Sequence, residues 1–223
     1  MFSVLGFLAV AASAVFGFFA PGLADRIIAN YPGTWADVVC GRDSAAGPRN
    51  DQVSRALSGV AVAAGAAFLL YLTSNIFLVF AAWLFALAVL TDIKARLIPD
   101  ILTFPLMLAG AAAAAGGLPW MPGFGAALFA AAAGYVMASL MGALYYKKSD
   151  VAIGGGDIKL ISAGGLLLGL TGLSVALVVA AVAAYIWMRS RVKPGMTRNK
   201  FVPLAPFFAF GAMVYLAFFK VFL

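Results

Sequence analysis

The chain has 223 residues, of which 65% are hydrophobic and 10% are charged, and its mean hydropathy is +1.04. Soluble domains carry roughly 25% charged residues, so this composition argues against a soluble domain, a disordered tail, a coiled coil and a collagen-like repeat. The sequence has no His, and its single cysteine is Cys40, which excludes Ser-His-Asp and Cys-His catalysis and predicts no metal site.

Five long runs without a charged residue predict an all-α, polytopic integral membrane protein. A helix that spans the bilayer needs roughly 20 apolar residues. The first and the last run are long enough for one crossing each, and the second and third are long enough for two. Turn-forming residues mark the expected breaks in these two runs, at Thr73-Ser74-Asn75 and from Gly116 to Pro119. The five runs are 1–24, 56–91, 101–146, 160–188 and 201–219.

The run 160–188 is too long for one crossing and short for two, and the basic residues decide between these alternatives. Lys and Arg concentrate in cytoplasmic segments. With eight crossings and both termini outside, 14 of the 15 basic residues are cytoplasmic, and Lys220 is the exception. We therefore predict about eight transmembrane helices, with a break near Thr171-Gly172 and a helix start near residues 154–157. Basic residues that flank membrane helices do not indicate nucleic acid, although the net charge is +7.

The polar residues divide the chain into three predicted parts. These are a first transmembrane helix at 1–24, a short cytoplasmic loop at 25–55 and a seven-helix membrane domain at 56–223. The loop is too small for an ordinary independent domain. The first helix lacks a basic segment before its apolar residues, so we interpret it as an uncleaved helix and not as a signal peptide.

Two of the eight acidic residues, all of which are Asp, lie at ends of predicted membrane helices. Asp92 ends the apolar run 76–91, and Asp157 follows three glycines at the start of a helix. An ionised side chain at membrane depth costs on the order of 2.5–3.5 kcal/mol, so each acid needs a partner or a function. The alternatives are a helix N-cap for Asp157 and an interfacial charge beside Lys94 for Asp92. Spacing alone leaves these alternatives open.

The remaining acids have simpler interpretations. Asp25 and the other three acids of the 25–55 segment are predicted to be solvated loop charges, and so is Asp150. Pro99 disfavours helix at Ile98, so Asp100 is predicted to cap the helix that follows.

Both acids occur in the sequence Asp-Ile-Lys. Helical residues two apart point about 200° away from each other, so we predict that Asp92 and Asp157 face the helix bundle while Lys94 and Lys159 reach lipid phosphates. Lys159 is alternatively a residue that positions the site. Two carboxyl groups a few ångströms apart share one proton, so one can activate water while the other polarises a carbonyl.

The glycines before Asp157 are the other candidate site residues. Gly154, Gly155 and Gly156 lack a Cβ, so the backbone of a bound peptide can approach closely and the segment can adopt positive φ. The alternative is a plain flexible loop. We predict that these glycines contribute to substrate binding or to the geometry of the site.

The blocks around the two acids resemble the signature of a known family. TDIKARLIPDILTFP at 91–105 and AIGGGDIKLISAGGLLLG at 152–169 are similar to the two signature blocks of type IV prepilin peptidases, membrane aspartic proteases of the GxGD class. FVPLAPFFAFG at 201–211 resembles the closing helix of that family. The resemblance covers most of residues 76–222. It implies that Asp92 and Asp157 are the catalytic pair.

The resemblance also implies a substrate and a location. The expected partners are the lipid bilayer and a type IV prepilin or a type II secretion pseudopilin, whose leader is cut after a glycine at the cytoplasmic face of the bacterial inner membrane. Many members carry a zinc domain with two Cys-x-x-Cys pairs and N-methylate the product with S-adenosylmethionine. Since this chain has only Cys40 there, zinc is not expected. Proteolysis needs no cofactor, and S-adenosylmethionine is needed only if methylation is retained.

Two other classes of protein place acids in membrane helices. A proton-coupled membrane transporter combines intramembrane acids with helices broken by glycine, and a membrane scaffold could use the same acids as caps. A transporter places its acids near the midplane and has repeated halves. Here the acids lie near one face of the membrane, and no inverted repeat is evident beyond the two copies of Asp-Ile-Lys. Both observations favour the peptidase.

Overall fold

A computed structural model describes residues 4–30, 62–65, 67, 76–117, 123–149, 153–191 and 203–222. Within these ranges the chain is helical and has no strand, which confirms the all-α prediction. Residues 62–65 and 67 are helical as well. Cys40 and the break predicted at 73–75 lie outside the described residues. Six helices have defined bounds: α1 Val4–Ala29, α2 Ile76–Ala95, α3 Asp100–Ala115, α4 Phe124–Ser149, α5 Gly155–Arg191 and α6 Leu204–Phe222.

The helices have the length and composition of membrane spans. Among the described residues, parts of α1, α2, α4 and α5 are long and apolar enough to cross a membrane, while α3 and α6 provide shorter apolar helices. A helix satisfies its backbone hydrogen bonds within itself, which is what a segment in lipid requires. The protein is therefore a polytopic membrane protein, as predicted, and the count of eight crossings stays a prediction.

Helix α5 is broken at Gly169. Its backbone has φ 67° and ψ −177°, a combination open essentially to glycine alone. A Cβ placed on Gly134 of α4 would lie 3.2 Å from Ile161 and 2.9 Å from Leu173. In a straight helix those two residues would be about 18 Å apart along the axis. The chain therefore reverses at Gly169, and α5 consists of two arms, 155–168 and 170–191.

The reversal confirms that this segment contains two helices and corrects where they meet. The break was predicted near Thr171-Gly172 and lies at Gly169, two residues earlier. Gly172 instead packs on α6, since a Cβ there would lie 2.6 Å from Cε1 of Tyr215. The start predicted near residues 154–157 is confirmed, because α5 begins at Gly155. The predicted break after α3 is also confirmed, since Gly117 has φ 66°.

Gly169→Ala is expected to destabilise the protein by about 1–3 kcal/mol, because alanine is strained in this backbone conformation. The measurement is the apparent Tm of the purified protein in detergent. Gly125→Ala is the control, since a Cβ on Gly125 near the start of α4 would meet nothing within 4 Å. We expect its Tm to equal or exceed that of the wild type, and a Gly169→Ala protein with an unchanged Tm would contradict the strain.

The chain forms two compact units, 1–109 and 110–223. In the first unit α1 and α2 pack in parallel. Near their beginnings the Trp83 indole N–H donates to Ser13 Oγ at 2.9 Å, and the Trp83 ring stacks on Phe16 at 4.9 Å. Near their ends Lys94 contacts Asp25. Parallel neighbours require the chain between them to return across the membrane, which the first crossing predicted in the run 56–91 would supply.

In the second unit, small residues bring helices close together, as is common in membrane proteins. The arm 155–168 lies antiparallel to α4, because Gly165 meets the Ala130 backbone and Ile153 meets Gly142. The arm 170–191 lies antiparallel to α6, where the backbone of Ala176 meets Gly211. The residues at the beginning of α5 and at the end of α4 therefore share one end of this unit.

Candidate active site

Asp92 lies in the last turn of α2, and its exposed fraction is 5%. The helix ends three residues later, at Ala95. The next residue, Arg96, donates its N–H to the Asp92 carbonyl at 2.9 Å and adopts φ 54°. Ile93 is exposed and Thr91 is buried, with its hydroxyl donating to the Ala88 carbonyl at 3.0 Å. The Asp92 side chain is thus buried at the end of a largely apolar helix, as predicted.

Lys94 does not reach towards lipid, and that prediction is wrong. Its ammonium group donates to Asp25 Oδ1 at 2.6 Å and to the Pro21 carbonyl at 3.0 Å. The interpretation of Asp25 as a solvated loop charge is wrong for the same reason. Helix α1 ends at Ala29 and not at residue 24, so Asp25 lies on its last turns beside the end of α2.

Asp157 lies in the first turn of α5, and its side chain is half-buried. The Ile158 N–H donates to the Gly154 carbonyl at 3.2 Å, so the N-cap is Gly154 and Asp157 is the third helical residue. The N-cap interpretation of Asp157 is therefore wrong. The free N–H groups of a first turn favour a carboxylate nearby, which makes this a suitable place for an acid at a membrane edge.

The Asp157 carboxyl group folds back over Gly154. A Cβ added to Gly154 would lie 3.1 Å from Asp157 Oδ2, whereas a Cβ on Gly155 would meet nothing within 4 Å. Gly154 and Gly155 are exposed, and Gly156 and Lys159 are half-buried. The glycines therefore serve two purposes: Gly154 makes room for the carboxyl group, and Gly155 leaves open space beside it.

Asp100 occupies a different kind of position. The Pro99 carbonyl accepts from the Leu102 and Thr103 N–H groups at 3.0 and 3.3 Å, so Pro99 is the N-cap and Asp100 is the first helical residue of α3. The predicted helix start is confirmed, while the capping position belongs to Pro99. The Asp100 side chain is exposed, in contrast to that of Asp92.

Residues 78–188, about half of the chain, match the model of the type IV leader peptidase family. The chain belongs to this family. The match confirms the resemblance inferred from the sequence blocks at 91–105 and 152–169. No curated protein and no solved structure matches the chain.

The matched stretch of this leader peptidase contains both candidate acids and all three glycines before Asp157. Asp92 lies in the first compact unit and Asp157 in the second, and the pairing of their carboxyl groups stays a prediction. Asp25 lies outside the match, and sequence reasoning missed its contact with Lys94. The sequence signal that could have indicated this contact is the position of Asp25 directly after the apolar run 1–24.

Proposed function

We propose that this leader peptidase is an aspartic endopeptidase in which Asp92 and Asp157 form the catalytic pair. Its proposed substrate is the N-terminal leader of a type IV prepilin or of a type II secretion pseudopilin. The observation that carries the proposal is the burial of Asp92, 5% exposed, in a helix that is apolar enough to span a membrane. An acid in a membrane helix is rare and usually marks a functional site, and both acids fall within the family match.

In the proposed reaction the two carboxyl groups share one proton, because both cannot ionise easily when they are close together. The ionised group takes a proton from water, and the resulting hydroxide adds to the carbonyl carbon of the scissile amide. The protonated group gives its proton to the carbonyl oxygen. The tetrahedral intermediate then breaks its C–N bond as the carboxyl group that took the water proton gives it to the leaving nitrogen. The other carboxylate takes a proton from a hydroxyl group of the intermediate, which restores the shared proton. Water is the nucleophile, and no covalent enzyme intermediate forms.

The open space beside Gly155 supports a peptide as the substrate. An extended peptide backbone lies closest to a site whose own backbone has no side chain in the way. Gly154 and Gly155 are exposed, and they are the N-cap and the first residue of the helical turn that carries Asp157. The scissile segment would therefore approach Asp157 over the glycines, from the side that no Cβ occupies.

The basic residues support cleavage at the cytoplasmic face of the bacterial inner membrane. In the first unit Arg26 and Lys94 lie at the ends of the parallel helices α1 and α2. In the second unit α4 ends just after Lys147 and Lys148, at the same end where α5 begins with Lys159 close by. Lys and Arg flank the cytoplasmic ends of membrane helices, so within its own unit each acid lies at the end predicted to be cytoplasmic.

The test is incubation of the purified protein with a prepilin, with and without S-adenosylmethionine, followed by mass analysis of the product. We expect cleavage after a glycine in both reactions, and an added methyl group only if methylation is retained. An active member of the family is the positive control for the substrate. A correctly folded sample that leaves this substrate intact would contradict the proposal, and proton flux in proteoliposomes without cleavage would favour the transporter instead.

A further inference from the structure

The Lys94 ammonium group is held at two points on α1. It donates to the Asp25 carboxylate at 2.6 Å and to the Pro21 carbonyl at 3.0 Å. Residues four apart lie one above the other on the same face of a helix. The two acceptors therefore occupy neighbouring turns of α1, and a donor bound to both is fixed along the helix axis and around it.

This contact lies two residues from Asp92, and helix geometry determines the direction of both side chains. Lys94 and Trp83 are eleven residues apart, so they differ by only about 20° around α2. Both contact α1, Trp83 through Ser13 and Lys94 through Asp25. Asp92 is about 200° from Lys94, so the face of α2 that binds α1 is opposite to the face that carries the Asp92 carboxyl group.

We propose that Lys94 and Asp25 are a positioning pair, which sets the rotation and depth of the last turn of α2 and thereby the direction of the Asp92 carboxyl group. This inference rests on the proposed catalytic role of Asp92. The ion pair is partly shielded, with side-chain exposures of 28% for Lys94 and 35% for Asp25.

The pair acts on the end of α2 and not on the whole helix. The Trp83 contacts with Ser13 and Phe16 hold α2 against α1 about three turns earlier, and they do not depend on Lys94. Beyond Lys94 the helix ends within two residues, where Arg96 has φ 54°. Loss of the pair therefore releases the last turn, which carries Asp92, while the packing of the two helices persists.

The test compares Lys94→Met, Asp25→Asn and Lys94→Arg for cleavage of a prepilin under steady-state conditions. We expect Lys94→Met to lower kcat by roughly 10- to 100-fold, since a shift of about 1 Å in a catalytic group has an effect of this size, with little change in KM or Tm. Asp25→Asn should lower kcat less, because the Pro21 carbonyl still accepts from Lys94. Lys94→Arg should retain most of kcat, and adding Asp25→Asn to Lys94→Met should lower kcat no further.

Arg26→Gln is the matched control, because it removes an exposed charge from the same end of α1, one residue after Asp25. Its kcat should equal that of the wild type. The inference is overturned if Lys94→Met keeps the wild-type kcat, or if Arg26→Gln lowers kcat as much. If Lys94→Met does not accumulate, an unchanged kcat in Asp25→Asn overturns it. Unimpaired cleavage by Asp92→Asn would instead overturn the proposed function, so the two failures are distinguishable.

Discussion

Replacing either Asp92 or Asp157 by Asn is expected to lower kcat for leader cleavage by roughly 10²- to 10⁴-fold, the usual contribution of a general acid or base. Asn has nearly the same shape as Asp but cannot take a proton from water or give one to the carbonyl oxygen. Both variants should retain the wild-type apparent Tm to within a few degrees. The measurement is the single-turnover rate of prepilin cleavage, which reports the chemical step without product release.

Asp100→Asn is the control for these two variants. It removes the same charge within the family-matched stretch, but from an exposed residue that begins α3. An exposed substitution of this kind typically changes the free energy of unfolding by less than about 0.5 kcal/mol. Since Asp100 has no proposed role in the reaction either, the cleavage rate of Asp100→Asn should stay within about twofold of the wild-type rate. A rate loss in Asp100→Asn as large as that in Asp92→Asn would contradict the assignment of the catalytic pair.

The helices could be predicted from the sequence because lipid imposes one strong constraint. Every backbone polar group in the hydrocarbon core must be bonded internally, so an apolar run of sufficient length is a helix or a pair of helices. The run 101–146 accordingly contains α3 and most of α4, separated at the predicted turn around Gly117. The predicted start of α5 at 154–157 followed from charge and length together, since the basic residues indicated two crossings and two crossings do not fit into 29 residues.

The position of the α5 reversal could not be predicted, because several glycines in this segment were equally suitable. Glycine permits both a backbone reversal and close helix packing, and the sequence does not distinguish these uses. In the structure Gly164 meets the ring of Phe208, Gly165 meets the backbone of Ala130 and Gly172 meets Tyr215. These three glycines are therefore used for packing against α4 and α6, and the chain reverses at Gly169.

The contacts of Lys94 and Asp157 also could not be predicted from the sequence, because they depend on how the helices pack and where they begin. The Lys94–Asp25 pair joins residues 69 positions apart, and it exists because α1 and α2 run parallel and α1 extends to Ala29. Three consecutive glycines gave no signal for the residue at which α5 begins, so the sequence could not decide between Asp157 as the N-cap and Asp157 inside the first turn. A shift of a few residues at a helix start thus changes which atom the carboxyl group can contact.

Gly154→Ala is expected to lower kcat/KM by roughly 10- to 100-fold, because the new methyl group would displace the carboxyl group of Asp157. The added Cβ would lie 3.1 Å from Asp157 Oδ2, which is closer than ordinary van der Waals contact. The Asp157 side chain has to move to relieve this contact, which shifts its carboxyl group from its present position over Gly154. The measurement is the cleavage rate of a prepilin at substrate concentrations well below KM.

Gly123→Ala separates this effect from the cost of placing alanine at a helix start. Gly123 caps α4 as Gly154 caps α5, since its carbonyl accepts from the Ala126 and Ala127 N–H groups at 2.8 and 3.1 Å. A Cβ on Gly123 would meet nothing within 4 Å. Alanine is a poorer N-cap than glycine, so both variants should lose a similar, small amount of stability, while only Gly154→Ala should lose activity. Equal activity losses in the two variants would show that helix capping, and not the position of the Asp157 carboxyl group, explains the need for glycine.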